Sequence, residues 1–241
     1  MWLTKLAAGL DAWAFPPECI LCGDPGAAPG FDLCEGCEGD LPRCEPALQP
    51  VAPGQSLDAL WCAFHYAFPV DGMIRELKFG GQLAYAQVLG LALLRRLRAA
   101  PAGEMAGVLG ASTALGASPS IEVAGLLPVP LHHRRLSERG FNQAWEIARP
   151  VARALHLPML AGPVVRRRDT LPQTLIGADR RRQNLHGAFE VRRPVHGRSF
   201  LLLDDVTTTG STLIELARVL KAGGARRVTA MVVATATPVI L

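Results

Sequence analysis

Thirteen residues toward the carboxyl end carry the strongest chemical signal, Phe200-Leu201-Leu202-Leu203-Asp204-Asp205-Val206-Thr207-Thr208-Thr209-Gly210-Ser211-Thr212. An apolar strand ends, two carboxylates follow, and a Thr/Gly loop opens a helix. The unpaired N–H groups and positive dipole end at such a helix start bind phosphate. Gly210 permits close backbone approach and a positive φ. The hydroxyls of Thr208, Thr209, Ser211 and Thr212 add donors. Asp204 and Asp205 can accept hydrogen bonds from vicinal hydroxyls such as those of a ribose, and they tolerate a Mg²⁺ brought in on a pyrophosphate. The carboxyl end of a parallel strand is where open α/β sheets take ligands. A Walker A loop is excluded, because no Gly-Lys-Ser/Thr ending is present. The plain alternative is a capped helix after a strand, with the two aspartates an incidental turn.

A second cluster is made of sulfur. Cys19-x-x-Cys22 and Cys34-x-x-Cys37 are two pairs separated by eleven residues. Two such knuckles place four thiolates at the corners of a tetrahedron, a closed structural zinc site. Gly23 and Gly36 permit the tight turns. A segment this small buries too little apolar surface to fold alone, so the metal would supply its folding energy. In a cytoplasmic chain the spacing favours zinc over disulfides. Two reduced pairs or a redox motif are the competing readings. Cys44 and Cys62 lie off the pattern and read as small buried hydrophobes.

The basic candidates are Lys78, before Gly80-Gly81, and Arg135 and Arg139. The two arginines could neutralise a pyrophosphate through bidentate, charge-assisted contacts. A surface ion pair is the alternative. His132 and His133 have no assigned role. Asn142 reads as the cap of the helix that follows.

The elements that must position these groups follow from periodicity. Leu60 to Phe68, Ala124 to Val129, Pro163 to Arg166, Ala188 to Val191, Ser199 to Leu203 and Arg227 to Ala234 read as strands. Val70 to Leu77, Gln82 to Ala100, Phe141 to His156 and Thr212 to Ala222 read as helices, with Pro150 expected to kink or break the third. Met1 to Phe15 reads as a short amphipathic helix. Residues 101–120 read as a loop or insertion, Pro130 to Arg139 as a loop, and Arg167 to Asn184 as a long mobile loop; Arg166 to Asn184 could fold over bound ligand as a lid, with a solvated disordered loop as the competing reading. Strand–helix alternation predicts a parallel sheet. The organisation is a helix and cysteine module over residues 1–45, a linker over 46–60, and a main domain over 61–241.

The 241 residues are 49% apolar but only 6% aromatic, which suits an α/β layered core built from Ala, Leu and Val. Charge is split. Residues 1–60 hold two basic and nine acidic residues, net −7, while residues 61–241 hold 23 basic and 12 acidic, net +11. A basic main domain suits a polyphosphate or a nucleic acid, and a solvated Arg-rich surface is the plain alternative. No apolar run reaches the roughly 20 residues of a membrane span. Met1 to Phe15 does not match a signal peptide, since Asp11 interrupts its apolar stretch. A cytoplasmic location is expected.

Further segments carry a family resemblance. Lys78-Phe79-Gly80 comes first. Val129-Pro130-Leu131-His132 leads to Arg135-Leu136 and Arg139-Gly140-Phe141-Asn142-Gln143-Ala144. Then come Arg168, Thr170, Gln173, Arg181, Asn184 and Gly187-Ala188-Phe189. With the four cysteines and the aspartate–threonine loop, the chain resembles the ComF family of phosphoribosyltransferase-like proteins. That resemblance implies a type I phosphoribosyltransferase fold, a parallel sheet flanked by helices, with a small amino-terminal Cys₄ zinc module. It implies that phosphoribosyl pyrophosphate (PRPP) binds with Mg²⁺. Asp204 and Asp205 would hold the ribose hydroxyls, and Thr207, Thr208, Thr209, Gly210, Ser211 and Thr212 would wrap the 5′-phosphate. It also implies a link to DNA uptake in naturally competent bacteria.

Two functional expectations remain open. One is an enzyme that transfers phosphoribosyl to an unnamed acceptor, with Arg135, Arg139 and Lys78 as catalytic candidates. The other is an accessory protein that binds single-stranded DNA and a helicase-like partner without turnover. The +11 domain fits backbone contact, while the scarcity of aromatics weakens base stacking.

Overall fold

The computed structural model describes residues 18–27, 30–109, 123–168 and 185–236. The expected amino-terminal helix, most of the expected lid and the end of the expected 101–120 loop lie outside the described residues.

The cysteine segment contributes a five-residue helix, α1 (Glu35–Gly39). The main unit then runs β1 (Leu48–Gln49), β2 (Ala59–His65), α2 (Val70–Phe79), α3 (Ala84–Arg98), α4 (Ala102–Leu109), β3 (Val123–Pro128), α5 (His133–Arg139) and α6 (Gln143–Leu155). It continues with β4 (Val164–Arg166), β5 (Phe189–Val191), β6 (Ser199–Thr207), α7 (Ser211–Ala222) and β7 (Arg227–Thr235). Five strands form one sheet in the order β1-β2-β7-β6-β3. β2, β7, β6 and β3 are parallel, and β1 pairs antiparallel with β2 at one edge. β4 and β5 form a separate antiparallel pair.

The central strands read as unbroken apolar runs because helices cover both faces. Side chains alternate along β6. Leu201 and Leu203 enter the core shared with α2, α3, α6 and the cysteine segment. Phe200 and Leu202 enter the opposite core, shared with Leu213, Leu216 and Leu220 of α7. Phe31, Leu33 and Leu41 are buried in the first core, so the cysteine segment packs on the sheet unit. No helix among the described residues is long and apolar enough to cross a membrane.

Four expectations are corrected. The aspartates do not end their strand: β6 continues to Thr207, because β7 supplies parallel partners as far as Thr207↔Thr235. Residues 102–109 are helical, and their Ala/Gly composition hid buried Met105, Val108 and Leu109. Residues 133–139 form α5, which Gly140 ends in the left-handed region at φ 83°. Pro150 does not break α6, which runs through it from Gln143 to Leu155. It is buried where α6 meets α3, and a Cβ on Gly90 of α3 would lie 2.6 Å from its Cγ and 2.5 Å from the Ile147 carbonyl oxygen. Close packing of the two helices offsets the missing Pro150 N–H.

Candidate functional site

The carboxyl end of β6 is the focus. Beyond Thr207 the chain turns through Thr208 and Thr209 into α7. Gly210 takes φ 69° and ψ −2°, a conformation that only glycine adopts without strain. Its N–H donates to Thr207 Oγ1 at 3.1 Å, so Thr207 shapes the loop. The hydroxyls of Thr209 and Ser211 lie 2.6 Å apart. Ile214 N–H donates to Gly210 O at 2.9 Å and closes the first turn of α7. The loop thus leads directly into the amino-terminal end of a twelve-residue helix.

The two carboxylates are buried, Asp204 at 9% exposure and Asp205 at 3%. Asp204 Oδ1 accepts from the Asp205 N–H at 3.0 Å. Asp205 faces two partners brought from distant elements. The ammonium of Lys78, in the last turn of α2, forms an ion pair with its Oδ2. Gln143 Nε2, in the first turn of α6, donates to its Oδ1 at 3.3 Å. Arg139, the last residue of α5, donates to Gln143 Oε1. A polar chain thus runs from Arg139 through Gln143 to Asp205, with Lys78 on the other side.

Electrostatics separate the two aspartates. Burial raises the Asp204 carboxyl well above the usual carboxylate range, and the neighbouring Asp205 charge adds to the rise. Burial also pushes Asp205 upward, but the Lys78 charge and hydrogen bonds from Lys78 and Gln143 outweigh it, and its pKa falls. The two carboxyls are thus driven in opposite directions, Asp204 up and Asp205 down. Burial lowers the Arg139 pKa, against the pull of Asp205 and with the repulsion of Arg135. Its guanidinium lies 5.8 Å from the centroid of the Phe79 ring, which is itself 80% exposed.

The structure thus gathers Lys78, Arg139, Asp204, Asp205 and the Thr207–Thr212 loop at one sheet edge, with Arg135 on the same short helix as Arg139. Asn142 caps α6 as expected, accepting from Ala144 N–H at 3.0 Å, and it donates to Val129 O at 3.0 Å. Sequence reasoning missed the contact of Gln143 with Asp205. The available signal was the position of Gln143 at the start of the helix that Asn142 caps, in a segment that begins beside the strand end.

The cysteines converge as well. The Sγ atoms of Cys19, Cys22, Cys34 and Cys37 all lie within 4.8 Å of one another. Those of Cys22 and Cys34 are 3.6 Å apart, close to the roughly 3.8 Å edge of a tetrahedron with 2.3 Å metal–sulfur bonds. The Cys37 N–H donates to Cys34 Sγ at 3.4 Å. This donor set could hold a metal ion. Cys44 and Cys62 are buried outside it, as expected.

A family model of the phosphoribosyl transferase domain matches residues 142–237. The DNA utilization protein YhgH of Escherichia coli O157:H7 is 33% identical over 232 residues, covering 94% of this chain and 92% of its own. The protein of the same name from Salmonella typhimurium is 30% identical over 233 residues, with the same coverage. Competence protein F of Haemophilus influenzae is 29% identical over 228 residues, covering 88% of this chain and 93% of its own. Among solved structures, the allosteric regulatory enzyme of purine biosynthesis aligns over 47% of this chain and 22% of its own, at 21% identity and a TM-score of 0.31. With relatives matched along nearly their whole length and a phosphoribosyl transferase domain match that takes in the two aspartates and the Thr/Gly loop, the chain belongs to the ComF family of the type I phosphoribosyltransferase superfamily.

Proposed function

We propose that this chain binds PRPP with Mg²⁺ and transfers its phosphoribosyl group to an acceptor. The observation that carries this reading is the buried Asp204–Asp205 pair, opening directly onto the glycine-turned start of α7. The 5′-phosphate would sit against the backbone of Thr207 to Thr212. The ribose hydroxyls would meet the aspartates. Asp205, whose carboxylate Lys78 favours, accepts from one hydroxyl, and Asp204 faces the other. Arg135 and Arg139 would face the pyrophosphate. As the anomeric C–O bond to pyrophosphate breaks, a nucleophile on the acceptor bonds to that carbon, through an oxocarbenium-like transition state. The chain's contribution would be positioning and charge stabilisation. Mg²⁺, bound together with the pyrophosphate, supplies further neutralisation of its negative charge.

We assign zinc to Cys19, Cys22, Cys34 and Cys37 as a structural ion, since four thiolates and no other donor type make up the cluster. Reduced thiols held for a metal support a cytoplasmic location. The names of the relatives, DNA utilization and competence, support a role in DNA uptake or use.

The test of turnover is pyrophosphate release from Mg²⁺-PRPP across a panel of bases and amines. Release above the rate of PRPP alone with at least one acceptor is expected, and no release with any of them overturns the transfer step. The alternative is a non-catalytic accessory that binds single-stranded DNA and docks a helicase-like partner, favoured by the net +11 of residues 61–241. It predicts oligonucleotide affinity that falls steeply with salt.

A further inference from the structure

A second basic cavity lies away from the aspartate site and shares no residue with it. It opens between the cysteine segment and the last turns of α3, with a volume of about 460 Å³. Arg43, Arg95, Arg96 and Arg98 line it, together with Glu38. We propose that this cleft binds a nucleoside di- or triphosphate.

Charge is the first argument. Four arginines line one space, and planar guanidinium forks match phosphate oxygens. Their internal neutralisation is partial. Arg95 forms a bidentate pair with Glu38, at 2.6 Å and 3.0 Å. Arg96 meets Glu45 at 3.2 Å and the Cys44 carbonyl at 3.3 Å. Arg43 and Arg98 make no side-chain hydrogen bond or ion pair among the described residues. The partial negative charge at the α3 carboxyl end takes up only about half a unit. An excess of one to two positive charges is left facing the cavity.

The second argument is rigidity. The Arg96 side chain is only 13% exposed and is fastened to the Cys44 carbonyl and to Glu45, so its guanidinium is held in place at the cleft wall.

The third argument is size and lining. A bare phosphate would leave most of such a volume empty, and ligand pockets of roughly 300–1,000 Å³ suit nucleotide-sized molecules. Apolar walls from Leu41, Phe64, Ala92 and Ala99 suit a base and sugar beside the charged end. Glu38 follows the ligand-set residue Cys37 directly, and Arg95 also stacks over Phe31 at 4.9 Å. A phosphate drawn to Arg95 therefore acts on the contact that fastens the cysteine segment to α3.

The test is calorimetric titration of the zinc-replete full chain with ADP in phosphate-free buffer. Parallel arms use an Arg43→Ala/Arg98→Ala variant, an Asp204→Asn/Asp205→Asn variant and a thymidine oligonucleotide. We expect one ADP per chain, weakened at least tenfold by the arginine variant and unchanged by the aspartate variant. Both arginines are exposed, so the arginine variant should keep the wild-type unfolding curve. No ADP binding, binding indifferent to the arginines, or binding lost only with the aspartates would overturn the proposal. Oligonucleotide binding without ADP binding would also overturn it, in favour of a nucleic-acid surface.

Discussion

Replacing Lys78 by Met keeps the aliphatic stem and removes the ammonium that faces Asp205. The Asp205 side chain is 4% exposed and that of Lys78 21% exposed, so the pair is largely desolvated. Removing one partner of a buried pair costs about 3–5 kcal/mol, because an uncompensated charge stays behind. Lys78 keeps some solvent and Arg139 still reaches the site through Gln143, which puts the expected cost near the lower end, about 3 kcal/mol. For a chain of this size that corresponds to a fall in Tm of roughly 6–12 °C. In the native chain the Asp205 pKa is depressed. Its contribution is thus present above the ordinary carboxylate value and disappears as pH drops through the folded value. In the variant, burial beside Asp204 raises that carboxyl instead, and protonation relieves the stranded charge. The deficit should therefore be largest near pH 7 and shrink toward pH 4. Urea unfolding of Lys78→Met, and of Lys78→Met/Asp205→Asn, across this range checks both points. The double variant should recover most of the loss at pH 7. A deficit that is flat with pH, or untouched by Asp205→Asn, would refute the ion-pair reasoning.

Three further outcomes are expected. Asp204→Asn should stabilise the fold at pH 7 by on the order of 1 kcal/mol while impairing ligand binding. The raised Asp204 pKa means that the unfolded chain releases this proton at lower pH than the folded one, so the gain should vanish near pH 3 in urea titrations. Metal analysis should find one zinc per chain, with Cys37→Ser or chelation reducing it and lowering Tm, since Phe31, Leu33 and Leu41 are part of the main core; a metal-free wild type of unchanged Tm would contradict this. Gly90→Ala should destabilise by about 1–3 kcal/mol through contact with Ile147 and Pro150, whereas Gly72→Ala in α2, where a Cβ meets nothing within 4 Å, should be neutral or stabilising in the same thermal scans.

Local signals in the sequence carried far. The run Phe200 to Leu203 with its Thr/Gly loop marked a buried strand feeding a helix, because burial on both faces demands unbroken apolar residues. The two Cys-x-x-Cys pairs marked their own convergence, since ligand geometry is encoded in short spacing. What stayed hidden depends on distant chain. Nothing near Asp204 announces that β7 will extend β6 to Thr207. Lys78 lies 127 positions before Asp205, and only the α2 packing brings them together. Pro150 signals a break by local rules, and its tolerance depends on Gly90 of a different helix. The Ala/Gly run at 102–109 lacks polar periodicity, and its helix is fixed by contacts to the sheet, with Trp61 Nε1 donating to Glu104 Oε2 at 3.2 Å and Thr229 Oγ1 to Val108 O at 2.8 Å.

The most direct test of the central claim is calorimetric titration of the wild-type chain and of Asp204→Asn/Asp205→Asn with Mg²⁺-PRPP. One binding site per wild-type chain, abolished in the double variant, is the predicted result. An absence of binding to the wild type, or equal binding by the double variant, would contradict a sugar-phosphate site at the end of β6.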